Sequence, residues 1–350
     1  MLRILVTGAT GFVGRRLIEV LTQTWPELEI LAAVRSMPSK PFLEESDSPS
    51  KVKYVTIGDI GPNTEWPILL GVDAVIHLAA RTHVMKESAP DPLAVYRQAN
   101  TATTINLAKQ AAAAGVKRFI FLSSIKVNGE ETLPAEAFTE LSTPAPLDPY
   151  GISKLEAEEG LQKVCSENGA KMEYVIIRAP LIYGPGVKAN FHKLMSLLAS
   201  RPDNILGSLM PWPLGSIHNQ RSFLALDNLI DFICLAITHS KAANQVFLLA
   251  DGADLSTPEL IHMISRGMYQ RPPLLIPFPV GLMRTLGGLL GMSAAVQRLA
   301  SSLQVNSTKA HTLLNWQPPL KAKDAIALTA QAFLAERKTG ARSKWSAALI

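Results

Sequence analysis

A chain of 350 residues with 47% hydrophobic side chains is long enough to bury a large core and to form two or three domains. Its formal charge of +5 is modest and unclustered, which suits a diphosphate-bearing ligand and argues against nucleic acid as a partner. Two cysteines far apart in the sequence, Cys165 and Cys234, and seven histidines without ligand spacing give no disulfide framework and no metal site. A first strand beginning within three residues of Met1 leaves no room for a signal peptide, so a reduced, cytoplasmic protein is expected.

Residues 3–34 read as strand, turn, helix and strand. The apolar run Ile4 to Val6 is short and bounded by Thr7 and Gly8, as a buried parallel strand is. Gly8, Gly11 and Gly14 follow at three-residue intervals in TGATGFVG, with Thr10, Phe12 and Val13 between them. Glycines there permit a tight turn and close approach to a pyrophosphate, and the helix from Phe12 aims its free N–H groups at that anion. The second strand, 29–34, ends in Arg35, where an acid would accept from a ribose 2′-OH and an arginine accommodates a 2′-phosphate. NADP(H) is therefore the expected cofactor, with NAD(H) the alternative, and Arg15 and Arg16 add charge at the helix start.

A third strand at 52–56 leads into Asp59 and Ile60, placed beside an adenine. A fourth, at 73–78, ends in Leu78, Ala79 and Ala80, small enough for a cofactor to lie across. Next come a helix over 92–114 carrying Asn100, a strand over 117–123 ending at Ser123 and Ser124, a helix over 150–169 and a strand over 172–179. This alternation predicts an α/β fold, a doubly wound parallel sheet of Rossmann type with the ligand at its carboxyl edge. Beyond Arg178 the prolines Pro180, Pro185, Pro211 and Pro213 break the alternation, which places a smaller substrate domain at 179–217 and 251–350. The dinucleotide domain then spans 1–178, with a returning part around 218–250.

Tyr150 and Lys154 in DPYGISKLEAE lie four residues apart, on one face of their helix. A free phenol titrates near ~10, but an adjacent ammonium and a positive nicotinamide favour phenolate, which makes a proton donor and acceptor usable near neutrality.

With TGATGFVG, GDI, HLAA, FLSS and YGISK in order, and RAPLIYGPG, ANF and HNQRSF after them, the chain resembles the extended short-chain dehydrogenase/reductases, the nucleotide-sugar epimerases, dehydratases and reductases. The resemblance covers almost the whole sequence and is strongest to bacterial 4-ketoreductases and epimerases of UDP-linked N-acetylhexosamine derivatives in surface-polysaccharide synthesis. It implies a catalytic triad of Ser124, Tyr150 and Lys154, cofactor contacts that include Ser123 and Pro180, and a homodimer. Asn100 matches a helix asparagine near the proton relay, with a packing or capping amide as the equal alternative. It further implies that Asn190 and Arg221 contact the nucleotide diphosphate and that Arg81 and His83 face the sugar pocket. Dehydratases carry an acid pair after this strand where Ile125 and Lys126 stand here, so dehydration is disfavoured; Lys126 reaches toward substrate or is paired within the protein. Leu181 departs from the asparagine that relatives place before YGP.

The leading expectation is thus an NADP(H)-dependent reductase of a 4-keto UDP-sugar. A UDP-hexose 4-epimerase with bound NAD is the runner-up, ahead of a hydroxysteroid-type dehydrogenase and a non-catalytic nucleotide sensor. The late apolar stretch Val280 to Met292 reads as a helix packed on the core or on a second subunit, in preference to a helix lying on a membrane surface.

Overall fold

The computed structural model describes residues 2–38, 51–82, 89–133, 135–167, 171–200 and 211–339. Seven parallel strands form one sheet in the order β3-β2-β1-β4-β5-β6-β9. They are β1 (Arg3–Thr7), β2 (Glu29–Val34), β3 (Lys51–Thr56), β4 (Ala74–His77), β5 (Arg118–Ser124), β6 (Glu173–Ala179) and β9 (Gln245–Leu248). The direction of strand order reverses between β1 and β4, which opens a crevice at their carboxyl ends. Every strand expected from the sequence is present with its ends shifted by a residue or so.

Period-two alternation sends β1 side chains to two cores. Ile4 and Val6 pack with Leu17, Ile18 and Leu21 of α1 (Phe12–Thr24) and Leu229 and Ile233 of α6 (Leu226–Thr238). Leu5 points the other way, into Val75, Phe119 and Phe121, covered by Leu107 and Ala111 of α3 (Thr103–Ala113) and Leu161 of α4 (Pro149–Ser166).

The helix expected over 92–114 is interrupted. It comprises α2 (Pro92–Tyr96), a π-helical turn Arg97–Ala102 and α3. Within it Thr103 Oγ donates to the Gln98 carbonyl, five residues back (3.0 Å), so a side chain satisfies backbone that wider winding leaves open. Such turns collect at functional sites, and this one contains Asn100.

Beyond β6 a second layer begins. β7 (Leu181–Tyr183) and β8 (Phe223–Ala225) pair in parallel, flanked by α5 (Ala189–Ala199), α7 (Thr257–Tyr269) and α11 (Ala322–Thr339). Tyr183, Phe191, Met195, Ile261, Ile264 and Ile326 form its core. The chain returns between these pieces through α6 and β9 to the main sheet. The helices α8 (Val280–Leu289) and α9 (Ser293–Ala300) pack mainly on each other, and α10 (Thr308–Leu314) leads back toward β9.

Candidate active site

The glycine loop is shaped by contact. Gly8 has φ +66, and a Cβ there would meet the Ala79 nitrogen at 2.8 Å; a Cβ on Gly14 would meet the Gly8 carbonyl at 2.2 Å. The loop therefore lies directly on the end of β4, with Gly11 N–H donating to the Gly8 carbonyl (2.9 Å). No side chain caps α1, and its first turn holds no acid. The free N–H groups of Phe12, Val13 and Gly14 are thus open to an anion, which fits a dinucleotide pyrophosphate. Thr10 gives its carbonyl to Arg15 Nε (2.9 Å), and Arg16 is paired with Asp227 and Glu19, which neutralise its charge at this loop.

A histidine inside an apolar strand secures the loop's floor. His77 is buried, its Nδ1 2.7 Å from Thr7 Oγ and its Nε2 3.0 Å from Thr104 Oγ, with its ring stacked on Phe121. Burial, aided by the charge of Lys154, pushes its pKa down to about 3, so it remains neutral. Ala79 N–H in turn donates to Thr7 Oγ (3.2 Å), fixing Leu78–Ala80 where the cofactor is expected. The polar residue in AVIHLAA was the available signal.

At the end of β2, Arg35 does not stand alone. Arg35 Nε lies 2.6 Å from Asp59, and both side chains are exposed, Arg35 at 79%. Asp59 therefore partners Arg35, next to Ile60, at the outer edge of the crevice.

Tyr150 and Lys154 stand on the first turns of α4. Asp148 caps that helix, accepting from Gly151 N–H (2.7 Å), and Pro149 occupies the first position. Lys154 is 1% exposed, and its ammonium lies 3.9 Å from the centre of the Phe121 ring. Burial lowers its pKa to about 7, against the pull of Glu158. Burial raises the Tyr150 phenol to about 12, although a hydrogen bond with Ser124 opposes the rise. Without cofactor, desolvation thus governs both groups, rather than the lysine depressing the tyrosine as the spacing alone suggested. Ser124 closes β5; its Oγ accepts from Lys126 N–H (3.3 Å), which leaves its own proton to donate. Tyr96 packs edge-on against Tyr150 at 6.2 Å, and Arg81 lies over Tyr96.

Beneath these groups is a buried network that sequence reading missed. Glu158, four residues beyond Lys154, accepts from Ser123 Oγ and from Arg178 (2.7 Å), while Arg178 also donates to Asn128 (3.1 Å). It joins β5, β6 and α4 directly below the triad; the repeat Tyr150, Lys154, Glu158 was its signal. Asn100 is buried too. Its carbonyl accepts from Arg81 N–H (2.8 Å), and its amide donates to Arg81 O (3.0 Å) and Ser153 Oγ (2.9 Å), tying the β4 end to α4. That fully used amide matches the packing role.

Lys126 is bound by Asp148 and Glu130 rather than standing free to meet a substrate. Ser123 is committed to Glu158, and Pro180 is buried where β6 ends. Arg221 donates to the carbonyls of Ser301 (3.0 Å) and Arg298 (3.3 Å), and burial lowers its pKa. Asn190 is exposed at the start of α5. His83 lies outside the described residues. Among the described residues no His, Cys, Asp and Glu cluster has the makings of a metal site.

A doubly wound parallel sheet with a glycine cradle at its carboxyl edge, and Ser124, Tyr150 and Lys154 beside it, is the framework of an enzyme that works with a nicotinamide dinucleotide. The chain belongs to the NAD dependent epimerase/dehydratase family, whose model matches residues 4–250. It is 43% identical over 333 residues, 95% of each chain, to UDP-glucose 4-epimerase of Vibrio cholerae. It is 26% identical over 327 residues, 88% of each chain, to N-acetyl-α-D-glucosaminyl-diphospho-ditrans,octacis-undecaprenol 4-epimerase of Escherichia coli O157:H7. In fold it is like the UDP-glucuronic acid 4-epimerase of Bacillus cereus solved with NAD, with TM-score 0.71, 21% identity, and coverage of 95% of this chain and 99% of that one.

Proposed function

We propose that this chain is an NAD-dependent 4-epimerase of a UDP-linked hexose or N-acetylhexosamine. The observation that carries the proposal is a single acid/base, Tyr150, backed by Ser124 and Lys154, with the neighbouring carboxylates occupied: Asp148 by Lys126 and the α4 cap, Glu158 by Arg178 and Ser123. Inverting C4 requires one proton to leave and return at one oxygen, whereas dehydration needs additional acid/base groups. The long match to the Vibrio relative supports epimerisation over the ketone reduction expected from sequence. The carboxylate of Asp59 against Arg35 likewise weakens the case for a 2′-phosphate.

The α1 N-terminus and glycine loop hold the pyrophosphate, Leu78–Ala80 line the crevice, and Lys154 holds the nicotinamide ribose. A nicotinamide held there would supply the hydride exchange at C4. Ser124 donates to the C4 oxygen. Tyr150 accepts the hydroxyl proton as C4 is oxidised, then returns it when the ketone is reduced on its other face. Positive charge brought by an oxidised nicotinamide draws Tyr150 down from its ligand-free pKa of about 12. Arg221 and Asn190 are proposed to meet the diphosphate.

The test is to incubate the purified protein with UDP-glucose or UDP-N-acetylglucosamine, without added cofactor, and resolve the sugars by NMR. C4 epimers should appear with no net change in reduced nicotinamide absorbance. Stoichiometric NADPH consumption with a UDP-4-keto-6-deoxy-N-acetylhexosamine, and no epimer, would establish the reductase reading instead.

A further inference from the structure

The hairpin of α8 and α9 presents the wrong face to water. In α8, Met283 and Gly287 turn inward, and a Cβ on Gly287 would meet Val296 of α9 at 2.6 Å. Leu282, Leu286, Leu289 and Leu290, spaced as one helical stripe, are exposed, Leu289 at 80% and Leu290 at 73%. Met292 at the end of the hairpin and Ile276 before it are exposed as well. The helix expected to pack on the core or on a second subunit thus holds its neighbour through a small face and turns its leucines outward. An exposed apolar patch of this kind marks an interaction surface.

The charge of the segment identifies the partner. Between Glu259 and Asp324 the sequence contains no acidic residue, yet it carries Arg266, Arg271, Arg284, Arg298, Lys309, Lys321 and Lys323. Arg271, before the helix, and Arg284, on its side away from the leucines, are exposed. A leucine stripe opposite an exposed arginine, in a segment of sequence that carries cations and no acid, matches the acyl boundary and headgroups of an anionic bilayer. The helix runs only from Val280 to Leu289, and no described helix is long and apolar enough to cross a membrane. We infer that the α8–α9 hairpin lies in the surface of an anionic membrane and docks the enzyme there peripherally. Its placement links that surface to the substrate lobe, because the carbonyls of Arg298 and Ser301, at the end of α9, are those that hold Arg221.

The full-length protein is mixed with vesicles of phosphatidylcholine alone or phosphatidylcholine with phosphatidylglycerol, then sedimented at low and high salt. Binding should require the anionic lipid, weaken at high salt and fall by at least about tenfold in the Leu289→Glu, Leu290→Glu double variant. Both side chains being solvent-facing, that variant should keep the wild-type melting transition and its turnover of a soluble UDP-sugar. If the double variant unfolds, Leu286→Ser gives the same reading. Absence of wild-type binding, equal binding to both lipids, or equal binding by wild type and variant overturns the inference. A wild-type dimer that splits in the variant on light scattering overturns it in favour of a second copy of the chain on this face.

Discussion

Replacing Lys154 by Met should abolish turnover and make the cofactor-free protein more stable. Its pKa falls from 10.5 to about 7 on folding, caused mainly by burial. At ~1.4 kcal/mol per tenfold, that fall corresponds to a cost of about 5 kcal/mol for enclosing the protonated form. Between those two values the unfolded chain holds a proton that the native one has released, so stability rises with pH across that window. The penalty is complete below pH 7 and gone above 10.5. Methionine has a similar reach and no charge, but it forfeits the contact with the Phe121 ring, worth roughly 0.5–2 kcal/mol. A net gain of about 3 kcal/mol is expected near pH 6.5, shrinking to nothing toward pH ~10. Denaturant unfolding of both proteins after cofactor removal, at several pH values, reads this directly. A methionine variant no more stable than wild type at acidic pH, or a gain that does not change with pH, would refute the reasoning.

Tyr150→Phe should lower the rate by ~10²–10⁴ or more while cofactor affinity, measured by calorimetry, stays within a few fold. Glu158→Gln leaves Arg178 facing a neutral amide in the interior and should cost roughly 3–5 kcal/mol in urea unfolding; a Glu158→Leu, Arg178→Met pair should recover part of that loss. Asp59→Asn frees Arg35 and should raise affinity for NADP⁺ relative to NAD⁺; an unchanged ratio in calorimetry would remove this pair from cofactor choice.

The fold was legible because most strands of the main sheet are short apolar runs, and because the glycines from Gly8 to Gly14 sit between a strand and a helix. Tyr150 and Lys154 were legible for a similar reason: a four-residue period on a capped helix fixes their common face. Partnerships across the sheet were not. Arg35 and Asp59 lie on separate strand ends, and only the parallel β2–β3 register joins them. The π-helical turn at Arg97–Ala102 left no mark in the apolar pattern, since winding depends on how Thr103 and Asn100 spend their hydrogen bonds. Val280–Leu289 was legible as an apolar helix, packed on the core or on a second subunit. Its apolar content suggests burial, and only the packing shows which way the leucines turn.

The Ser123–Glu158–Arg178–Asn128 network has a consequence for motion. Four side chains from β5, α4, β6 and the turn after β5 share one set of buried bonds, so α4 cannot fray from its strands without exposing a carboxylate and a guanidinium together. Local opening and global unfolding then become one event in this part of the molecule. Backbone amides in the middle of α4 should exchange with deuterium only at the slow rate of whole-molecule unfolding, while those of the α8–α9 hairpin exchange through small, frequent openings. Tyr150, the proposed acid/base, thus rides on a helix locked to the sheet, and the adaptability that a sugar substrate would require is left to the periphery.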